Sequence, residues 1–258
     1  MSADYLQFVN LLKQKTGIDL SLYKEAQMKR RLTSLYQKRG FQSFLEYFSV
    51  IKDDKALLDE FLDKMTINVT EFYRNKSRWE VLENKIVPRL LSENQTLKTW
   101  SAASSTGEEP YTIAMILSQF IPLNQISILA TDIDEKALET ARRGLYTERS
   151  FAEMPSEMIT KFFQKDGSVY SINKELQKTV EFRKQNLLLD PFRSGFHLIV
   201  CRNVLIYFTE EAKEQLYKKF SQALAPGGVL FVGSTEQIFN PHQYDLEVED
   251  TFFYRKKR

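Results

Sequence analysis

The chain has 258 residues, of which 43% are hydrophobic and 27% are charged, so it is long enough to bury one or two cores. The net charge of +2 argues against a general nucleic-acid binder, and the short apolar runs argue against membrane insertion. One cysteine and two histidines exclude a disulfide framework and argue against a metal centre. No signal peptide is evident, so we expect a cytoplasmic protein that is monomeric by default.

The first part of the chain predicts helices only. Apolar residues recur at helical spacing in four segments: residues 5–15, 22–39, 57–65 and 79–90. Ser43 and Glu46 form a capping box in front of one more helix. We therefore expect an all-helical N-terminal domain over residues 1–76 and a linker helix over residues 77–96.

Strands and helices alternate over the rest of the chain. Five apolar segments are suited to strands: LKTWSA, ISILATDID, HLIVCRN, GGVLFVGS and the C-terminal TFFYRKKR. Strands that alternate with amphipathic helices predict a doubly wound, parallel α/β sheet over residues 97–258. The segment 168–183 alternates differently and predicts an inserted antiparallel β-subdomain at about residues 165–185.

The sequence WSAASSTGEEPY lies where the first predicted strand turns into a helix. Its small residues allow a ligand to approach the backbone, but the G-x-G-x-x-G pattern of a pyrophosphate clamp is missing. Glu108 and Glu109 would repel phosphates and would suit a positively charged ligand, such as the amino group or sulfonium of S-adenosylmethionine. Alternatively, the two glutamates only complement the helix dipole.

Polar residues follow the other predicted strands. Asp132 ends the second strand, where an acid in a nucleotide-binding sheet accepts hydrogen bonds from ribose hydroxyls. Asp134 fits the cap of the next helix. Asn186 and Asn203 follow later strands and would face the same crevice at the carboxyl edge of the sheet. The pattern favours a methyl donor over a dinucleotide.

Five sequence runs carry a family resemblance: MTINVTEFYRN, WSAASSTGEEPYTIA, LATDIDEKAL, CRNVLIYF and LAPGGVLFVGSTE. Over nearly its whole length the chain resembles the chemotaxis receptor methyltransferases, the CheR family. The resemblance implies a helical domain followed by a Rossmann-like, S-adenosylmethionine-dependent methyltransferase domain with a small inserted β-subdomain. It also implies methyl transfer to glutamate side chains of methyl-accepting chemotaxis receptors, giving glutamyl methyl esters and S-adenosylhomocysteine without a metal.

The resemblance implies a set of donor contacts: Asn68, Thr70, Arg74, Glu109, Asp132, Asn186, Leu187, Asn203 and Val204. Arg74 and Tyr207 would lie nearest the reacting methyl. The chemistry agrees, because a glutamate is ionised at pH 7 and needs no general base, while an arginine can hold its carboxylate. Two alternatives stay open: a methyltransferase of another carboxylate or small molecule, and a non-catalytic regulator that binds S-adenosylmethionine and would need Asp132 but neither Arg74 nor Tyr207.

The helix predicted over residues 22–39 lies in a basic region. Residues 1–40 contain eight Lys or Arg and three Asp or Glu. Arg30, Arg31 and Lys38 fall on one side of this helix. The face is either an ordinary solvated surface or a docking surface for an acidic receptor segment.

Overall fold

The computed structural model of the chain describes residues 3–66 and 68–258, and the chain forms two compact units. The first unit comprises Met1–Ile67 and Val204–Leu216, and the second comprises Asn68–Asn203 and Tyr217–Arg258. The boundaries expected from the sequence did not include the return of Val204–Leu216 to the helical unit. In the described ranges, no helix has the length and apolarity needed to span a bilayer.

The first unit is helical, as predicted. Its helices are α1 (Ala3–Thr16), α2 (Glu25–Lys38), α3 (Phe44–Ile51) and α4 (Lys55–Met65). An aromatic core holds them together, with the Phe8 ring 5.3 Å from the ring of Phe44 and 6.0 Å from that of Phe61. Burying such rings is the main stabilising contribution in a unit of this size.

The predicted capping box before α3 forms with one difference. The Ser43 hydroxyl accepts a hydrogen bond from the Glu46 N–H at 3.1 Å. The Glu46 carboxylate accepts from the N–H of Gln42 at 2.7 Å, one residue before the expected partner. Asp4 adds a second cap from α1, since its carboxylate accepts the N–H groups of Phe44 and Leu45. These contacts satisfy donors that a helix start leaves without partners.

The segment that returns to the first unit pairs with the chain before α2. The Tyr207 carbonyl accepts the Lys24 N–H at 2.8 Å, and the Thr209 N–H donates to the Leu22 carbonyl at 2.9 Å. The Tyr23 ring lies edge-on to the ring of Phe208, with centroids 5.0 Å apart. Residues 22–24 and 207–209 therefore form a short antiparallel pairing within the unit.

The remaining helices are α5 (Lys76–Val81), α6 (Val87–Glu93), α7 (Glu108–Leu117), α8 (Glu135–Arg143), α9 (Ser156–Phe162), α10 (Lys174–Gln177) and α11 (Glu210–Ala223). A π-helical turn at Leu82–Ile86 joins α5 to α6. These helices cover most of residues 77–96, predicted as a linker helix, but they lie within the second unit and pack their apolar side into its core through Trp79, Leu82 and Leu90.

The strands are β1 (Lys98–Ala102), β2 (Ser127–Asp132), β3 (Leu145–Thr147), β4 (Phe163–Asp166), β5 (Val169–Ile172), β6 (Val180–Lys184), β7 (Phe196–Cys201), β8 (Leu224–Val232), β9 (Leu246–Asp250) and β10 (Phe253–Lys256). Seven of them form one sheet in the order β6-β2-β1-β7-β8-β10-β9. The first five are parallel, and β10 and β9 are antiparallel additions. The predicted doubly wound α/β sheet is confirmed.

The inserted β-subdomain differs from the predicted segment. It is an antiparallel sheet in the order β3-β5-β4, so it begins at Leu145 and its hairpin lies at residues 163–172. The end of the predicted segment, β6, instead pairs in parallel with β2, with Val180 opposite Ile128. As an edge strand β6 buries Val180 and exposes Glu181, and this alternation resembles that of an antiparallel ribbon.

Candidate functional site

The turn between β1 and α7 folds closely against β2. The Ser104 N–H donates to the Thr131 carbonyl at 2.9 Å. Ala103 and Ser105 hold left-handed backbone, with φ of 60° and 48°, which is costly for residues other than glycine. Gly107 has φ of 96°, and a Cβ there would lie 2.8 Å from the Cβ of Ala141. The turn therefore presents a tight, small-residue surface at the carboxyl edge of the sheet.

Asp132 ends β2 with both carboxylate oxygens held by backbone. One oxygen accepts the Ser105 N–H at 2.8 Å and the other accepts the Asp134 N–H at 2.9 Å. Burial raises the pKa of Asp132 to about 6, against the lowering effect of these hydrogen bonds. The carboxylate is thus oriented and mostly ionised at neutral pH, and its other lone pairs can accept from ligand hydroxyls.

Asp134 has the capping role that the sequence predicts. Its carboxylate accepts from the N–H groups of Lys136 and Ala137 at the start of α8. It also accepts from the side-chain amide of Asn68 at 2.8 Å. Asn68 in turn accepts from the hydroxyl of Ser105 at 2.8 Å. The Asn68 amide thereby ties its own segment to the turns that follow β1 and β2.

The two glutamates at the start of α7 have different hydrogen-bond partners. Glu108 is buried and accepts from the hydroxyls of Thr106 at 2.6 Å and Ser150 at 3.4 Å. Glu109, with a side chain 12% exposed, accepts from the Ser101 hydroxyl at 2.9 Å. Burial raises the pKa of Glu109 to about 7, and the positive charge of Arg202 is the strongest opposing influence.

Arg74 follows Asn68 and Thr70 in the same segment. Its guanidinium donates to the Val69 carbonyl at 2.9 Å. Its own carbonyl accepts from the indole N–H of Trp79 at 3.0 Å and from Arg202 at 2.9 Å. The Arg74 charge also lowers the pKa of Glu109, so both groups share one electrostatic environment. Thr70 lies half-buried between these anchored residues.

Asn186 and Leu187 lie in the loop after β6. The Asn186 side-chain oxygen accepts the Leu188 N–H at 3.0 Å, and the Asn186 N–H donates to Asp190 at 2.8 Å. The Leu187 carbonyl accepts from the ammonium group of Lys219 on α11 at 2.7 Å. These bonds fix the loop, so its backbone is held in place.

Asn203 follows β7 in a left-handed conformation, with φ of 60°. Its N–H donates to the Glu236 carboxylate at 2.7 Å, which also accepts the Gly233 N–H at 2.8 Å. A Cβ at Gly233 would collide with the Glu236 carboxylate, so a side chain there would displace this carboxylate. Val204 and Tyr207 belong to the first unit, where both side chains are half-buried.

Comparison with known proteins identifies the family. Residues 68–253 match the family described as CheR methyltransferase, SAM binding domain, and residues 3–66 match the CheR methyltransferase, all-alpha domain. The chain belongs to the CheR methyltransferase family. Its relatives include a chemotaxis protein methyltransferase of Listeria innocua, 46% identical over 99% of this chain and 98% of the relative. Another, from Borreliella burgdorferi, is 36% identical over 90% of this chain and 87% of the relative.

The motif-based resemblance to the CheR family is therefore confirmed, and with it the use of S-adenosylmethionine. The site fits this donor. Asp132 has oriented carboxylate oxygens that suit ribose hydroxyls, the buried Glu109 carboxyl suits a cationic group, and the turn after β1 carries small side chains. Among residues 3–66 and 68–258, no group of three or more His, Cys, Asp or Glu side chains could hold a metal ion.

Two charged residues near the candidate site received no role in the sequence analysis. Arg202 and Glu236 are both buried and charged, and both lie among the site residues above. Each comes shortly after a strand whose residues are almost all apolar, HLIVC and VLFV. A charge at the end of such a strand is buried by its position, and burial of a charge is a signal for a specific partner.

The basic helix of this CheR-family chain is α2, and its three predicted partner residues divide into two groups. Arg30 and Lys38 are exposed. Arg31 instead donates to the carbonyls of Lys64, at 2.6 Å, and Thr66, and so satisfies the end of α4. A shallow surface groove runs beside Arg30, lined by Ala26, Lys29, Arg30, Thr33, Ser34 and Gln37.

Proposed function

We propose that the chain transfers a methyl group from S-adenosylmethionine to glutamate side chains of methyl-accepting chemotaxis receptors, forming glutamyl methyl esters. The observation that carries this proposal is the grouping of Asp132, Glu109 and Arg74 in one unit that matches a SAM-binding domain. The names of the relatives support the receptor as the acceptor. The acceptor side chains belong to the cytoplasmic domains of the receptors, and the enzyme acts there as a monomer.

The chemistry needs positioning rather than proton transfer. The donor supplies a methyl group on a positively charged sulfur, which becomes neutral as the methyl leaves. The glutamate of the receptor attacks as a carboxylate, so the chain needs no histidine or thiol base. Its task is to hold the carboxylate in line and to replace part of its hydration. Arg74 serves this role, because a guanidinium can orient a carboxylate through paired hydrogen bonds.

The remaining assignments stay predictions from the family resemblance. Asn68, Asn186, Leu187, Asn203 and Val204 line the donor, and Tyr207 shapes the space around the methyl. Asn68 has a second task in this chain, since its amide joins the turns after β1 and β2. Replacing Asn68 would therefore disturb the site even if the amide never touched the donor.

Methyl transfer to receptors tests the proposal directly. Tritiated S-adenosylmethionine is incubated with the protein and with membranes that contain chemoreceptors, and base-labile radioactive methanol is counted. A glutamyl methyl ester releases methanol in base, whereas methylated amines do not. Asp132→Ala and Arg74→Ala serve as disabled controls. Label that stays in soluble small molecules, or no base-labile label at all, would refute the receptor-glutamate assignment.

We also propose that the exposed basic residues of α2 contact the receptor. Receptor segments rich in glutamate are acidic, and exposed positive charge attracts them at a range of about 10 Å. Arg30 and Lys38 are available for this contact, and the adjacent groove offers small side chains that allow close approach. Arg31 contributes to the helix packing instead.

A further inference from the structure

A buried arginine links the parts of the candidate site. The Arg202 side chain is only 3% exposed and lies against two aromatic rings that pack edge to face on each other, with its guanidinium carbon 5.0 Å from the Trp79 centroid and 4.9 Å from that of Phe231. One amino nitrogen donates to the Arg74 carbonyl at 2.9 Å and to the Asn75 side-chain oxygen at 3.1 Å. The other lies 4.0 Å from the Glu109 carboxylate.

We propose that Arg202 is a positioning residue for methyl transfer, which holds the backbone of Arg74 in place and keeps Glu109 ionised for the donor. The inference rests on the proposed function for its effect on transfer. Its effect on donor binding stands on the SAM-binding domain alone.

The buried charge of Arg202 has to be compensated by charged and hydrogen-bonding partners. A buried guanidinium is costly unless charged and hydrogen-bonding partners compensate it. The carboxylates whose charges act on it are Glu109, Glu236 and Glu153, while Arg74 opposes them. Its Nε has no hydrogen-bond partner among the described residues. Arg202 is therefore held only partly by hydrogen bonds, and the negative charge of Glu109 is its strongest electrostatic partner.

The contacts explain why an arginine is needed at this position. A weakly hydrated guanidinium can lie against the rings of Trp79 and Phe231 while its two amino groups point to different partners. A lysine would supply the positive charge near Glu109, but its single ammonium group could not also keep the bonds to the Arg74 carbonyl and the Asn75 side chain. Arg202→Lys therefore separates the electrostatic role from the positioning of Arg74.

The electrostatic role appears as a pH dependence of donor binding. The groups that act on Glu109 are Arg202, the Ser101 hydroxyl, Glu236 and Arg74. The Cys201 thiol is also near, but burial keeps its pKa well above the ordinary value, so it stays neutral. Since Arg202 is the main influence that lowers the pKa of Glu109, removing it shifts ionisation of Glu109 to higher pH.

The experiment measures affinity for S-adenosylhomocysteine by calorimetry between pH 6 and pH 9, and receptor methylation at pH 7.5. Arg202→Met should move the midpoint of the affinity profile upward by about one pH unit. Arg202→Lys should keep the wild-type midpoint but lower kcat about tenfold or more, because the Arg74 segment loses its anchor. Arg89→Met is the matched control: it removes a largely buried arginine bound to Glu249 and should change neither readout.

The double variant Arg202→Met/Glu109→Gln guards against a folding artefact. If Arg202 acts on Glu109, the midpoint near pH 7 is missing from both Glu109→Gln and the double variant, because neither protein has the Glu109 carboxyl. An unshifted midpoint in Arg202→Met, or full kcat in Arg202→Lys, overturns the inference. The binding profile needs no acceptor, so a protein that fails to methylate receptors would still report on the link between Arg202 and Glu109.

Discussion

The Asp132 carboxylate has a structural role and an expected role in donor binding. It orients the turn after β1 through Ser105 and the start of α8 through Asp134. Removing it leaves two backbone N–H groups without an acceptor, which costs about 1–3 kcal/mol each when they stay buried. The same carboxylate is the expected ribose acceptor, so loss of affinity and loss of stability must be measured separately.

We expect Asp132→Ala to weaken S-adenosylmethionine binding by at least about tenfold while the protein remains folded. Calorimetry gives the affinity, and thermal unfolding gives the stability. Asp54→Ala is the comparison, because Asp54 caps α4 in the other unit through the Leu57 N–H. It should lower stability by about 1 kcal/mol and leave affinity unchanged. Unchanged affinity in Asp132→Ala would remove this residue from the donor site.

Arg74 contributes its backbone to the fold and its side chain to the reaction. Trp79 and Arg202 both bind its carbonyl, and a substitution keeps these bonds. We therefore expect Arg74→Ala to cut methyl transfer by about 100-fold or more with little loss of stability. Arg78→Ala, which removes a half-buried arginine over the Phe252 ring, should transfer methyl normally. Near-normal turnover in Arg74→Ala would contradict the assignment.

Glu109 should also affect how the free energy of unfolding depends on pH. Its pKa rises from 4.5 to about 7 on folding because the carboxyl is buried. Between these pH values the unfolded chain loses a proton that the folded protein keeps, so stability falls as pH rises through this window. Glu109→Gln removes the effect and should gain stability relative to wild type from pH 4.5 to pH 7, by about 3 kcal/mol at most.

Thermal unfolding at a series of pH values measures this gain. Glu247→Gln is the opposite control, since Arg255 lowers the pKa of that half-buried carboxylate and its contribution is lost as pH falls. A difference between Glu109→Gln and wild type that stays constant from pH 4.5 to pH 8 would show that the Glu109 carboxyl is not destabilised by burial.

At the scale of elements, α2 combines a packing side with an exposed basic side. The structure assigns Arg31 to the packing side, so the test of receptor docking uses Arg30→Glu/Lys38→Glu. This double variant should raise the KM for receptor, and the effect should shrink as salt is added, because exposed charges are screened. Donor affinity should not change.

The matched variant for α2 is Lys15→Glu/Lys55→Glu, which makes the same change in net charge at exposed positions on α1 and α4. It should leave the KM for receptor near the wild-type value. Equal KM values in the two double variants would mean that α2 is an ordinary solvated face and that general charge attraction explains any salt dependence.

Periodicity predicted the elements well where one side of an element is buried. The stripe of α1 and the strands β1, β2, β7 and β8 follow directly from apolar spacing. It failed at edges. β6 is half exposed, so its pattern resembled a ribbon, and β9, with the sequence LEVED, is too acidic to be recognised as a strand. Edge strands owe their existence to a neighbour, which local sequence does not contain.

At the scale of the whole molecule, the positions of Asp132 and Asn203 were accessible to sequence analysis because both residues lie at strand ends. Asp132 and Asn203 follow buried strands, and the parallel sheet brings such ends to one edge. The roles of Arg202 and Arg31 were not accessible, because each is defined by partners distant in the sequence: Arg74 for the former and Lys64 for the latter. A local sequence pattern shows which residues are polar, but not which distant carbonyl group accepts their hydrogen bonds.

The pairing of residues 22–24 with residues 207–209 bears on how such proteins can diverge. The helical unit includes a segment that lies far along the chain. A single crossover near residue 67 would therefore not exchange the whole unit. A chimera that takes residues 3–66 from a relative keeps the backbone hydrogen bonds of Lys24 and Leu22, which any sequence can make. It keeps the ring contact between residues 23 and 208 only if the relative also supplies an aromatic residue at position 23.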